Sequence, residues 1–136
     1  MHSRGSSLVE SLVAMSIFSI GTAATGAWFA QSLAADAQVS RVLAADAMAA
    51  SLADRMRYNR AGVAGGHYTV SVDASSCVEA CDAAALASDD MRRFREALTT
   101  HLGPAADGRV QCDVAEACDI RMTRQGREVL AWHVRL

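Results

Sequence analysis

From Ser11 through Ala35 the chain carries no Asp, Glu, Lys or Arg. A helix over that run, rising ~1.5 Å per residue, is long enough to cross a hydrocarbon core of ~30 Å. Arg4 lies just before the run, and Asp36 and Arg41 lie just after it. Glu10 sits in the apolar N-terminal edge, where a carboxylate is costly unless a cation meets it. A secretory signal peptide has a shorter apolar core of ~7–15 residues and then a small-x-small cleavage site. Ala23-Ala-Thr-Gly-Ala27 could supply such a site, but the length of the run and the acid at Glu10 argue against it.

With the apolar stalk set aside, a chain of 136 residues leaves enough for one small domain. A net charge of −2 implies no electrostatic pull toward nucleic acid. Trp28 and Phe29 fall at the far end of the run, and Trp28 stands where an interfacial aromatic belt is expected. Tyr58, Tyr68, Phe94 and Trp132 are the aromatics beyond it, so the domain has a thin core. Small exported domains often compensate with disulfides. Cys77, Cys81, Cys112 and Cys118 all follow the apolar run, outside the cytoplasm if the N-terminus stays inside. An even count in an oxidising compartment suggests two bridges with three possible connectivities. Local pairing closes short loops and is slightly favoured; crossed pairing would staple the start of the domain to its last hairpin. The spacings do not fit a zinc site with His67, His101 or His133.

Beyond Asp36 the helical pattern continues to Arg60, with Val42, Ala45, Ala49, Leu52 and Met56 as an apolar stripe. Asp46, Asp54, Arg55 and Arg57 fill the polar remainder. No proline interrupts Leu8 through Arg60, so one helix of ~50 residues is expected, softened at Gly21 and Gly26 and capped near Gly62. His67-Tyr-Thr-Val-Ser-Val72 alternates like a strand, and Asp73–Ala80 is expected to be a loop. A second helix is expected over Ala83–Leu102, with Leu86, Met91, Phe94, Leu98 and Leu102 on its apolar side and Gly103-Pro104 at its end. Arg109–Asp113, Asp119–Thr123 and Glu128–Leu136 are expected strands, the last two joined by a turn at Gln125-Gly126. The fold class is α+β: a long N-terminal transmembrane and amphipathic helix packed on a small antiparallel sheet.

The N-terminus resembles a type IV prepilin. A short basic leader ends in Gly5, two small residues and an apolar pair follow, and Glu10 stands at the fifth mature position. Ser11-Leu-Val-Ala-Met-Ser-Ile-Phe-Ser-Ile-Gly21 is similar to the pilin stalk. Farther along, Leu52-Ala-Asp-Arg-Met-Arg-Tyr-Asn-Arg-Ala-Gly-Val63, Tyr68, the paired cysteines and Asp89-Asp-Met-Arg-Arg-Phe-Arg-Glu-Ala-Leu98 look like segments of PilV-type minor pilins. The resemblance covers most of the chain. It implies a leader at residues 1–5 cut between Gly5 and Ser6, a transmembrane half-helix at 6–35, a periplasmic half-helix at 36–61, and a disulfide-containing globular domain at 62–136. The family usually has Phe or Met as the first mature residue, which is then N-methylated; Ser6 departs from that and leaves its methylation in doubt.

The function the resemblance implies is that of a minor pilin, incorporated into or priming a type IV pilus and supporting adhesion and twitching motility. The implied partners are the major pilin, other minor pilins, the prepilin peptidase and the inner-membrane assembly platform. The implied location is the bacterial inner membrane, single-pass with the N-terminus cytoplasmic and the domain periplasmic, and then the pilus. Glu10 would meet the freed amine of a neighbour's Ser6, so that wrong offsets leave a buried unpaired charge. A type II secretion pseudopilin shares this N-terminal logic. A membrane-tethered periplasmic binding domain is the rival from another class, and it predicts that losing Glu10 does no harm.

Arg92, Arg93 and Arg95 lie among Asp89, Asp90 and Glu96, which suggests a solvated helix face rather than a nucleic-acid site. No nucleophile stands at informative spacing from His101 or His133, and Ser75-Ser76-Cys77 is no nucleophile elbow. Neither enzymatic activity nor a cofactor or metal is expected.

Overall fold

The computed structural model describes residues 4–69, 80–113 and 117–136. It divides into two compact units, Met1–Val39 and Ser40–Leu136. One helix, α1 (Arg4–Tyr58), runs through both. A short helix α2 (Arg60–Ala64) and a 20-residue helix α3 (Ala83–Leu102) follow. Three strands complete the chain: β1 (Ala106–Cys112), β2 (Ala117–Arg124) and β3 (Arg127–Arg135). The long apolar helix and small antiparallel sheet expected of a pilin-like α+β chain are both present.

Between Ser11 and Ala35 α1 carries no charged residue and shows apolar side chains all round. Leu8, Phe18 and Trp28 are each about 70% exposed (73%, 69% and 70%). A helix with no polar face is suited to lipid or to other helices rather than to water. Gly21 and Gly26 do not break it.

In the second unit the pattern becomes one-sided. Ala45, Met48, Ala49, Leu52, Ala53 and Met56 recur at helical spacing and are buried. Val42, expected in this stripe, is 37% exposed, because the buried face begins one turn later at Ala45. The small alanines let neighbouring elements come close, and Leu52 and Met56 fill the space between them.

The helix does not run on to Arg60 with a cap at Gly62. It ends at Tyr58, and Asn59 starts a new turn by accepting from Gly62 N with its side chain. Gly62 is buried inside α2, and Gly65 follows as the cap. A Cβ at Gly62 would lie 2.9 Å from the Ala83 carbonyl oxygen, so the start of α3 requires glycine there. His67–Thr69 form hydrogen-bonded turns rather than the start of a strand: His67 N donates to Gly62 O and Thr69 N to Gly66 O. The rest of that expected strand, 70–72, and the loop over 73–79 lie outside the described residues.

Asp82 caps α3 by accepting from Ala85 N at 2.7 Å. The buried side of α3 carries Met91, Phe94, Leu98 and Leu102 as expected, whereas Leu86 is 37% exposed. Gly103 ends the helix with φ 97°. Arg124 Nε donates to Leu102 O at 2.7 Å and ties the end of β2 to an otherwise unpaired helix-terminal carbonyl.

The sheet order is β1-β2-β3, antiparallel throughout. Arg124 pairs with Arg127 around Gln125 (φ 53°) and Gly126 (φ 75°), the two positive angles that a type I′ hairpin needs. Val110, Ile120, Met122 and Val134 face the core from the three strands. Gly108 lets β1 approach α3, since a Cβ there would stand 2.5 Å from both Leu98 Cδ1 and Phe94 Cε1. Gly108→Ala should cost about 1–3 kcal/mol through this overlap. Urea denaturation of the full chain in detergent measures the cost; an unchanged midpoint would show that the strand can back away freely.

Candidate functional site

Gly5, Ser6 and Glu10 all fall in the first turns of α1. Ser6 and Glu10 are four residues apart in the sequence. Glu10 is exposed among exposed Leu8, Val9, Leu12 and Val13, which places a carboxylate on an otherwise apolar surface. The hydroxyls farther along are paired within the helix. Ser16 donates to Leu12 O (2.8 Å), Ser19 to Met15 O (2.7 Å), Thr22 to Phe18 O (3.0 Å) and Thr25 to Gly21 O (3.1 Å). Back-bonding of this kind removes the cost of bringing a hydroxyl into hydrocarbon. By length and composition α1 can cross a membrane.

A second constellation closes the globular unit, where three segments meet on Asp90 of α3. Arg55 Nη1 of α1 lies 3.1 Å from Asp90 Oδ1, and Tyr68 OH donates to Asp90 Oδ2 at 2.8 Å. Asn59 Nδ2 donates to Tyr68 OH (3.2 Å) and to Ala83 O (2.8 Å). Asn59, Tyr68 and Asp90 are all buried. Burial, the hydrogen bond to Asp90 and its negative charge push the Tyr68 phenol well above its usual range, so the phenol stays protonated as a donor.

Asp89, beside it, is only 4% exposed. It accepts from Arg92 Nη2 at 2.5 Å and from Arg93 Nε at 2.7 Å. The Arg92 guanidinium, with Arg93 beside it, holds the Asp89 carboxyl below the usual carboxylate range. Asp89 and Asp90 therefore do not belong to a solvated face. They are buried while Arg93 beside them stays exposed and Arg92 is half-buried, and no period-3.6 count of apolar residues marks this. The signal that was available is the cluster of polar residues in the quoted midchain segments, since Arg55, Asn59, Tyr68 and Asp90 all lie in them.

Cys112 and Cys118 are bridged across the β1–β2 ladder, at directly opposed positions with Cα atoms 4.0 Å apart. That bridge excludes both crossed connectivities. Cys81 is also disulfide-bonded, and Cys77 lies outside the described residues. His133 Nδ1 lies 2.8 Å from Asp119 Oδ1 on the exposed sheet face. His67 is in the turn after α2, and His101 is in the last turn of α3. Among the described residues no group of three or more His, Cys, Asp or Glu could hold a metal ion.

Residues 1–26 match the family model of the prokaryotic N-terminal methylation motif. No curated protein and no solved structure matches the chain. The match covers the first 26 residues and supports a type IV prepilin-like N-terminus, the kind of segment found in subunits of pili and pseudopili.

The inward polar cluster has measurable consequences. Asp90→Ala leaves the Tyr68 hydroxyl without its acceptor and should cost about 1–3 kcal/mol in chemical denaturation. A folded-state phenol pKa above the unfolded value contributes stability that is fully present below about pH 10 and lost as pH rises beyond it. The melting temperature should therefore fall as pH climbs past 10, and less steeply in Tyr68→Phe. Asp89 has the opposite sign: its contribution is present above about pH 4 and lost as pH falls below that.

Proposed function

We propose that this chain is a minor pilin of the PilV type, incorporated into or priming a type IV pilus. The observation that carries the reading is the methylation motif over residues 1–26 leading into a 55-residue helix. Support for the finer assignment comes from the midchain segments that resemble PilV-type proteins, whose polar residues Arg55, Asn59, Tyr68 and Asp90 meet in one cluster. The chain inserts in the inner membrane with its N-terminus cytoplasmic and its domain periplasmic, and later enters the filament. There it supports adhesion and twitching motility.

Cleavage after Gly5 frees the Ser6 amine as a new cation at the membrane edge. On assembly, the Glu10 carboxylate of one subunit meets the Ser6 amine of its neighbour. Each charge left alone in a low-dielectric surround costs several kcal/mol, so the pair selects one helix offset over others. Methylation of Ser6 keeps the amine basic and therefore keeps the pair. The disulfides brace a domain with few aromatics in its core.

Glu10→Leu separates this reading from a mere tether. Membrane insertion should be unchanged or improved, while incorporation into sheared filaments should drop tenfold or more. Immunoblots of membrane and filament fractions measure both. Equal incorporation of the variant would contradict a register role for Glu10, and a secretion defect with normal piliation would assign the chain to a pseudopilus.

A further inference from the structure

We infer that the solvent face of the β-sheet, centred on Arg109 and Arg121, binds a carboxylate-bearing saccharide such as a short chain of uronic acids. Side chains that alternate away from the core stand in rows across the three strands. Asp107, Thr123 and Glu128 form one row, and Gln111, Asp119 and His133 form another. Between these rows lies Arg109–Arg121–Ala131, with the two arginines directly opposed on neighbouring strands. Like charges in that position repel and destabilise the sheet. An anion held between them reverses the sign of the interaction.

A recess of about 390 Å³ opens over these rows and is lined by both arginines. That volume is enough for a small ligand. Asp119 is taken by His133 Nδ1 at 2.8 Å, and Asp107 by Arg109 Nε at 3.3 Å and by Gly108 N. Arg121 is exposed, its β3 neighbour is only the methyl of Ala131, and it has no hydrogen bond or ion pair among the described residues. Glu128, one row away on β3, is likewise without a partner among them. A ligand that satisfies this surface carries an anion for the arginines and donors for the carboxylates. The planar fork of arginine meets a carboxylate with two hydrogen bonds. Sugar hydroxyls donate to Glu128, and they both donate to and accept from Gln111 and Thr123. A phosphate polymer such as nucleic acid fits poorly, because the recess sets three carboxylates against two guanidiniums. No aromatic side chain among the described residues lines the recess for a sugar ring to stack on, so a single site binds weakly. The site uses only the globular unit and does not depend on the prepilin reading.

The test titrates the full chain in detergent micelles with trigalacturonate and follows the backbone amides by NMR. The amides of Arg109, Arg121 and Thr123 should shift with a millimolar dissociation constant, and neutral galactotriose should not move them. Arg121→Gln should weaken binding about tenfold, and Arg121→Lys should recover only part of the loss because lysine lacks the fork. Without ligand, Arg121→Gln should leave the urea midpoint unchanged or raise it, since the substitution removes a repulsion. Equal binding of galactotriose, no effect of Arg121→Gln on binding, or a lowered urea midpoint in that variant would each overturn the proposal. So would shifts confined to other elements, or no binding at tens of millimolar. Inorganic phosphate that binds as tightly as trigalacturonate would also overturn it, by making the arginine pair a general anion site.

Discussion

Asp90 is the point on which the globular unit turns. Its two carboxylate oxygens receive Arg55 from α1 and Tyr68 from the turn after α2, and Asn59 links that phenol to the first carbonyl of α3. The apolar core around it is modest, with alanines and methionines supplying much of the helix contribution. Dispersion among small side chains does little to select one angle between helices. Hydrogen bonds with fixed geometry do that, and a buried carboxylate enforces them because leaving it unpaired is costly.

α1 serves two environments with one backbone. Its first part is apolar on every side and hides its hydroxyls in its own carbonyls, as a lipid-facing helix must. Its second part narrows the apolar surface to the stripe from Ala45 to Met56 and accepts a domain. Between Leu8 and Ala35, Glu10 is the one charged residue. A carboxylate has no favourable reason to be there in a lone helix, which makes association with other subunits the natural source of its partner. The prepilin-like motif over residues 1–26 is consistent with that, since under the proposed function cleavage after Gly5 would supply a new amine at Ser6.

Much of this organisation is legible in the chain itself. The absence of charge from Ser11 to Ala35 and the period of α3 need no tertiary information. The Gln125-Gly126 hairpin is equally local, since its two positive φ angles are a property of the turn. What escapes notice is set by contacts across the fold. Gly62 looks like a cap for α1 but is a close-approach glycine against Ala83, and the break falls at Asn59 because that side chain can cap α2. Val42 fits its helical period yet stays exposed because it lies a turn before the packed stretch, and Leu86, next to buried Ala87, is 37% exposed. Asp89 and Asp90, adjacent to three arginines, look like surface charge. Asp90 is buried against Tyr68, a residue more than twenty positions away that the sequence alone does not place beside it.

The central claim is that the chain is a prepilin cut after Gly5, and the intact mass of the full chain tests it most directly. The sample should come from membranes that also contain the prepilin peptidase, measured before and after reduction. A chain that begins at Ser6 with its cysteines oxidised is the expected result, and an added methyl would locate the modification on the new amine. A chain that retains Met1 through Gly5, or one cut beyond Ala24, would contradict it and leave a tethered or secreted domain in its place.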